Sequence, residues 1–143
     1  MASRLNPYLN FDGTTRQAME FYHSVLGGDL TINTFGDFGD PSAPGADGVM
    51  HASLETPAGF TLFASDMPPG MPIATGNNFS VSLSGDDADA LRGYWEGLSE
   101  GGQVTMPLER QMWGDEFGMV IDKFGTPWMV NIMGTAPEGS QQA

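Results

Sequence analysis

The chain contains no cysteine, which excludes a disulfide framework, a thiol nucleophile and a cysteine-ligated zinc site. Basic residues are nearly as scarce. Five Lys and Arg stand against 18 Asp and Glu, giving a formal net charge of −13 over 143 residues. A partner that is itself a polyanion needs clustered Lys and Arg. Here Arg4, Arg16, Arg92, Arg110 and Lys123 are scattered, so nucleic acid is excluded as a partner. The same field disfavours an anionic membrane surface. No apolar run approaches 18 residues, so no transmembrane helix is expected. The first residues, Met1-Ala2-Ser3-Arg4-Leu5-Asn6-Pro7, lack the apolar centre of a signal peptide, and a cytoplasmic protein is expected.

What is present is an ordinary hydrophobic share of 40% with 20 glycines, 10 prolines and 10 methionines. A chain of this length buries about two thirds of its surface on folding. That is one full core, or two half-size modules that share one.

The pattern along the chain favours the second arrangement. Residues 5–11 read as an aromatic strand, broken at Asp12-Gly13. Thr14 with Gln17 resembles a capping box. Ala18, Met19, Tyr22, Val25 and Leu26 then fall at helical spacing, and Gly27-Gly28 ends the helix. Strands are expected over 30–35, 49–55 and 60–65, with a Gly- and Asp-rich loop over 36–48 and a turn at Thr56-Pro57-Ala58-Gly59. Residues 67–77 read as a linker. The order then repeats: a strand over 79–84, a helix capped by Asp86 or Asp87 with Leu91, Trp95 and Leu98 inward, Gly101-Gly102, and a short strand over 103–106 stopped by Pro107. Residues 108–116 read as loop or strand. Strands over 117–122 and 127–132 follow, and 134–143 read as a disordered tail. Asp12 and Asp86 lie 74 positions apart, and so do the two Gly-Gly pairs. The expectation is a single α+β domain over 1–143, built from one βαβββ module over about 4–66 and a second over about 78–133.

Two such modules in one short chain resemble the vicinal oxygen chelate superfamily, which includes glyoxalase I, extradiol dioxygenases and the bleomycin-resistance proteins. The local motifs resemble its PhnB-like branch: Asn6-Pro7-Tyr8-Leu9, Ala18-Met19-Glu20-Phe21-Tyr22, Leu26-Gly27-Gly28, Met50-His51-Ala52-Ser53-Leu54, Ala64-Ser65-Asp66, Trp113-Gly114-Asp115, 117–122 and Phe124-Gly125-Thr126-Pro127-Trp128. The resemblance covers about residues 4–133. It implies a glyoxalase-like fold in which each module curls a mixed sheet into a half-barrel and the sheets form a cleft. It also implies two ligand positions per module for a divalent ion, near Pro7 and Phe63 in the first and near Ser80 and Met129 in the second. Neither those residues nor their neighbours Leu62, Ala64, Phe79, Val81, Trp128 and Val130 suit such an ion, which wants carboxylate or imidazole. No metal and no other cofactor is expected.

Among chemically capable residues, His51, Ser53 and Glu55 share one strand face by alternation. His51 and Glu55 read either as acid/base or metal-binding groups, or as a strand histidine bonded to a neighbour. Four residues of strand, about 13 Å, separate the two. Asp115 and Glu116 beside Trp113 read either as an acid/base pair next to a stacking plate or as a solvated acidic turn. His23 reads as a solvent-facing helix residue. A Ser65–His51–Asp66 relay has no nucleophile elbow to support it. Residues 36–48 lack a Gly-x-Gly-x-x-Gly phosphate loop. The methionines suit either a pliable pocket or an ordinary core.

The expected function is therefore binding of a small, neutral or cationic molecule. Tyr8, Phe63, Trp113, Trp128 and Met129 would form the apolar wall, and His51, Asp115 and Asn131 the polar contacts. The alternatives are an enzyme with a divalent ion in an altered ligand set around His51 and Glu55, and a structural dimer module with a closed cleft. A homodimer is expected in each case, because open sheet edges have reason to be covered.

Overall fold

A computed structural model describes residues 3–68, 70–74, 76 and 78–134. The chain divides into two compact units, Met1–Thr75 and Gly76–Ala143. The first contains β1 (Tyr8–Phe11), α1 (Thr15–Leu26), β2 (Asp29–Thr34), β3 (Val49–Glu55) and β4 (Thr61–Asp66). The second contains β5 (Val81–Gly85), α2 (Ala88–Ser99), β6 (Gln103–Arg110), β7 (Glu116–Ile121) and β8 (Pro127–Ile132). Among the described residues, each unit is a four-stranded mixed sheet with one α-helix. The strand orders are β1-β4-β3-β2 and β5-β8-β7-β6, so each unit has the same topology. In each, the first and last strands pair in parallel and the other neighbours are antiparallel. The two βαβββ modules and the α+β class expected from the sequence are both present. Most of the tail expected over 134–143 lies outside the described residues. No helix among the described residues is long and apolar enough to cross a membrane.

Each helix covers one sheet face and leaves the other open. In the first unit α1 buries Ala18, Met19, Tyr22 and Leu26 and packs on β2, β3 and β4. The strands meet it with Leu9, Phe11, Ala52, Leu54, Leu62 and Ala64, all buried. Alternation then sends Tyr8, Asn10, His51, Ser53, Phe63 and Ser65 to the opposite, open face. In the second unit α2 buries Leu91 and Leu98 against a sheet whose helix-facing residues include Leu83, Val120, Trp128, Val130 and Ile132.

The helix start of the first unit differs from the sequence expectation. Thr14 makes no side-chain capping bond. Instead the buried Asp66, just before the expected linker, ends β4 and accepts the Thr15 N–H through Oδ1 (3.0 Å) and the Val49 N–H through Oδ2 (2.8 Å). A carboxylate at a helix N-terminus satisfies a free donor and complements the helix dipole. The Asp87 side chain caps α2 in the expected way, accepting from the Ala90 N–H at 3.2 Å.

Pro107 does not stop a strand. β6 continues through it to Arg110, with register shifts on either side of Met106. It is an edge strand, and an edge tolerates a residue with no N–H to contribute. The glycine pair that ends each helix has a packing reason. A Cβ on Gly28 would lie 2.2 Å from the Glu55 carbonyl oxygen, and one on Gly102 would lie 2.5 Å from that of Ile121. The chain leaves each helix by passing this close to the end of the unit's third strand, and only glycine fits.

Candidate functional site

The open face of the first sheet gathers three of the residues singled out above. Tyr8 on β1 pairs with Phe63 on β4, which pairs with Ser53 on β3. His51 lies two residues before Ser53 on the same face. The Tyr8 side chain reaches across β4, and its Oη lies 3.0 Å from His51 Nδ1 in a hydrogen bond. Phe63 meets both rings edge-on, with centroids 6.1 Å from Tyr8 and 5.0 Å from His51. Tyr8 is 48% exposed and His51 and Phe63 are partly exposed, so the group is accessible from solvent. One residue pair further along, Ser65 Oγ donates a long bond to Asn10 Oδ1 at 3.4 Å.

The remaining candidates of this unit lie apart from that group. Glu55 is held by Arg4 at 3.0 Å, an exposed ion pair worth about 0–1 kcal/mol. Asp66 faces the helix side, which separates it from both Ser65 and His51. His23 is exposed, and its Nε2 bonds to the Gly28 carbonyl oxygen at 2.9 Å across the end of α1.

In the second unit the expected acidic pair is divided. Asp115 closes a tight turn in which its carbonyl accepts the Gln111 N–H at 2.7 Å. Its carboxylate is buried and accepts from Asn131 Nδ2 at 3.0 Å and from the Gly134 N–H at 3.0 Å. The Asn131 bond, then the Gly134 bond, hold the carboxyl below its usual range against the opposing effect of burial. A carboxylate so engaged is a poor general acid. Glu116 begins β7 and pairs with Arg92 on α2. Adjacent residues of an extended chain point to opposite sides, which accounts for the separation.

The aromatic residues of this unit also separate. Trp113 is 57% exposed on the turn before β7, with its ring 6.4 Å from Phe117. Met129 lies on the open face beside Met119 and Ser82. Trp128 does not line an open surface. It is 1% exposed, and its indole N–H donates to Asp122 Oδ2 at 2.8 Å. The expectation of a wall residue there is corrected by parity: Trp128 shares the helix-side face with Val130, which is fully buried.

Register also corrects the positions at which the superfamily resemblance implies metal ligands. The first-strand partner of Phe63 is Tyr8, not Pro7, and the partner of Met129 is Ser82, not Ser80. The next open-face pairs are Asn10–Ser65 and Ser84–Asn131. Phenol, phenyl, hydroxyl, thioether and amide groups occupy these positions, and they do not suit a divalent ion. Among the described residues, no three His, Asp or Glu side chains are grouped closely enough to hold one.

The Tyr8–His51 bond is the main feature that the sequence reading missed. Both residues were singled out, but nothing in their spacing reveals that they meet across an intervening strand. The strand pairing alone supplies that.

Comparison with known proteins agrees with this architecture. Residues 4–130 match the Glyoxalase/Bleomycin resistance protein/Dioxygenase superfamily. The chain is 26% identical over 145 residues to the protein YjdN of Escherichia coli K12, covering 93% of this chain and 97% of that one. The crystal structure of PA1353 from Pseudomonas aeruginosa is 39% identical, with a TM-score of 0.82, covering 92% of this chain and 98% of that one. The PhnB protein of Bacillus cereus has the same fold at 21% identity and a TM-score of 0.73, covering 91% and 99%.

Proposed function

The chain belongs to the glyoxalase/bleomycin resistance/dioxygenase superfamily, and from that premise we propose that it is a PhnB-like, small-molecule-binding protein that holds its ligand without a divalent ion. The observation that carries this reading is the open face of the first sheet. Where the superfamily resemblance implies a metal ligand on the first and last strands, Tyr8 and Phe63 stand side by side, and His51 is bonded to Tyr8 at 3.0 Å. The group offers aromatic surface and a polar edge, which suits an organic molecule better than an ion. The motifs that resemble those of PhnB-like proteins, with the fold likeness to the Bacillus cereus protein, support the finer placement. A net charge of −13 favours a neutral or cationic ligand.

The main alternative, an altered metal site around His51 and Glu55, has less support. His51 Nδ1 is occupied by Tyr8, and the Glu55 carboxylate is occupied by Arg4. Two measurements test the reading. Metal analysis of protein purified without chelator is expected to give far less than one equivalent, and stoichiometric Ni, Zn, Mn or Fe would sink it. A thermal-shift screen with neutral and cationic aromatic compounds is expected to find stabilising ligands. Failure across the panel would favour a structural dimer module instead, and the oligomeric state, expected to be a homodimer, is read by sedimentation.

A further inference from the structure

Independently of that reading, we propose that the open face of the second sheet holds a soft monovalent cation, Cu(I) or its analogue Ag(I), between the sulfurs of Met106, Met119 and Met129. Strand register sets these residues side by side. Met106 on β6 is the partner of Met119 on β7, which is the partner of Met129 on β8. Ser82 on β5 completes the row. Partners across a sheet point to the same side, so the three thioethers stand on the face turned away from α2. Met106 is 41% exposed and the other two are partly exposed, so an ion can reach them.

The edge strand is distorted at this row. From the pair Val104–Val120, an unbroken antiparallel ladder would set Thr105 opposite Met119. A register shift sets Met106 there instead, and a second shift precedes the pair Glu109–Phe117. A bulge re-aims a side chain, and the one re-aimed here carries sulfur. The first unit has the same topology, and its equivalent row is Thr31–Ser53–Phe63–Tyr8. There the edge strand runs in unbroken register from Asp29 to Asn33, and the row has no sulfur. Spacing and chemistry agree with an ion. Adjacent strands lie ~4.8 Å apart, so Met106 and Met129 start ~10 Å apart with Met119 between them. Each sulfur lies two bonds beyond Cβ on a flexible stem, so the outer two can lean inward over the middle one. Thioether is a soft, uncharged ligand, which suits Cu(I) rather than a hard divalent ion. With no cysteine in the chain, methionine is its only sulfur donor. The paired residues of this face include no Lys or Arg, and a net charge of −13 draws cations.

The test titrates Ag(I), in neutral chloride-free buffer, into protein labelled with 13C-methyl methionine. One equivalent is expected to shift the methyl resonances of Met106, Met119 and Met129, each assigned through its own Leu variant. Met112, 98% exposed in the turn before β7, is expected to stay unmoved. Leucine keeps the volume of methionine and removes the sulfur. Met119→Leu is therefore expected to weaken Ag(I) binding at least about tenfold, and Met112→Leu to leave it unchanged. Met106→Leu alters only an exposed edge residue and is expected to weaken binding likewise, so the test stands even where Met119→Leu folds poorly. Cu(I), kept reduced by ascorbate and competed against a colorimetric chelator, is expected to follow the same order. Zn(II) is expected to leave the three resonances in place. The proposal is overturned if the three resonances fail to shift up to about 100 μM Ag(I), a bound too weak for a specific site. It is also overturned if both Leu variants bind as tightly as the unaltered protein, or if Zn(II) shifts the same resonances equally. Full binding by the variant with all three replaced would place the ion on His23 or His51 and overturn it too.

Discussion

Asp66 joins three elements through two oxygens. It ends β4, caps the first N–H of α1 and receives the first N–H of β3. Asp66→Ala leaves two backbone donors unmatched in a buried place, at about 1–3 kcal/mol each. Chemical denaturation is expected to show a loss of about 2–5 kcal/mol, and a loss below 1 kcal/mol would mean that water takes over the role. Asp115 yields a pH prediction. Its folded-state pKa is lowered, chiefly by Asn131 and then by Gly134, so the unfolded chain binds its proton first as the pH falls. The stabilisation is therefore complete above the ordinary aspartate value near ~4 and is lost as pH drops through the lower folded value. Asp115→Asn is expected to flatten the acid limb of stability against pH below about pH 4, with little change in slope at neutral pH. Neither arrangement was legible in the sequence. Asp66 reads there as the edge of a linker and Asp115 as part of an acidic pair, because a carboxylate's partners are set by strand neighbours far away in the chain.

At the scale of elements, the two units can be compared position by position. Gly28 and Gly102 lie 74 residues apart and pass the third strand of their own units at the same place. Gly28→Ala and Gly102→Ala each force a Cβ against a backbone carbonyl, so both are expected to cost at least about 1–3 kcal/mol. Thermal unfolding checks this, and a neutral result at either position would show that the two exits are not equivalent. Helices, most strands and the repeat were legible because they rest on local periodicity and on glycine. β6 was not. Pro107 reads as a stop, and only the knowledge that this strand lies at a sheet edge explains why it continues. Trp128 was misread for a related reason. Its aromatic character is local, but the face it occupies depends on the register with β5 and β7.

For the whole molecule, charge is the property with the widest consequence. Eighteen acidic groups and five basic ones repel one another on balance, and the repulsion acts against the folded chain. Raising monovalent salt from about 10 mM to about 100 mM shortens the screening length from ~30 Å to ~10 Å. The melting temperature is therefore expected to rise with salt. The ion pairs Arg4–Glu55 and Arg92–Glu116, near the surface, lose little by comparison. A melting temperature that falls with salt would mean that specific attractions outweigh the net repulsion.

The two hairpin turns follow the same design with different side chains. In the first unit Thr56 N–H bonds to the Phe60 carbonyl and Thr56 Oγ1 accepts the Phe60 N–H. In the second, Asp122 N–H bonds to the Thr126 carbonyl and Asp122 Oδ1 accepts the Thr126 N–H. Thr56 and Asp122 lie 66 positions apart, whereas the glycines before them lie 74 apart. Between those two landmarks the first unit is longer by eight residues, and its connection from β2 to β3 is the long one. A surface connection absorbs such a difference in length without disturbing the strands it joins. The two hairpins therefore share one backbone geometry, and a hydroxyl in the first does the work of a carboxylate in the second.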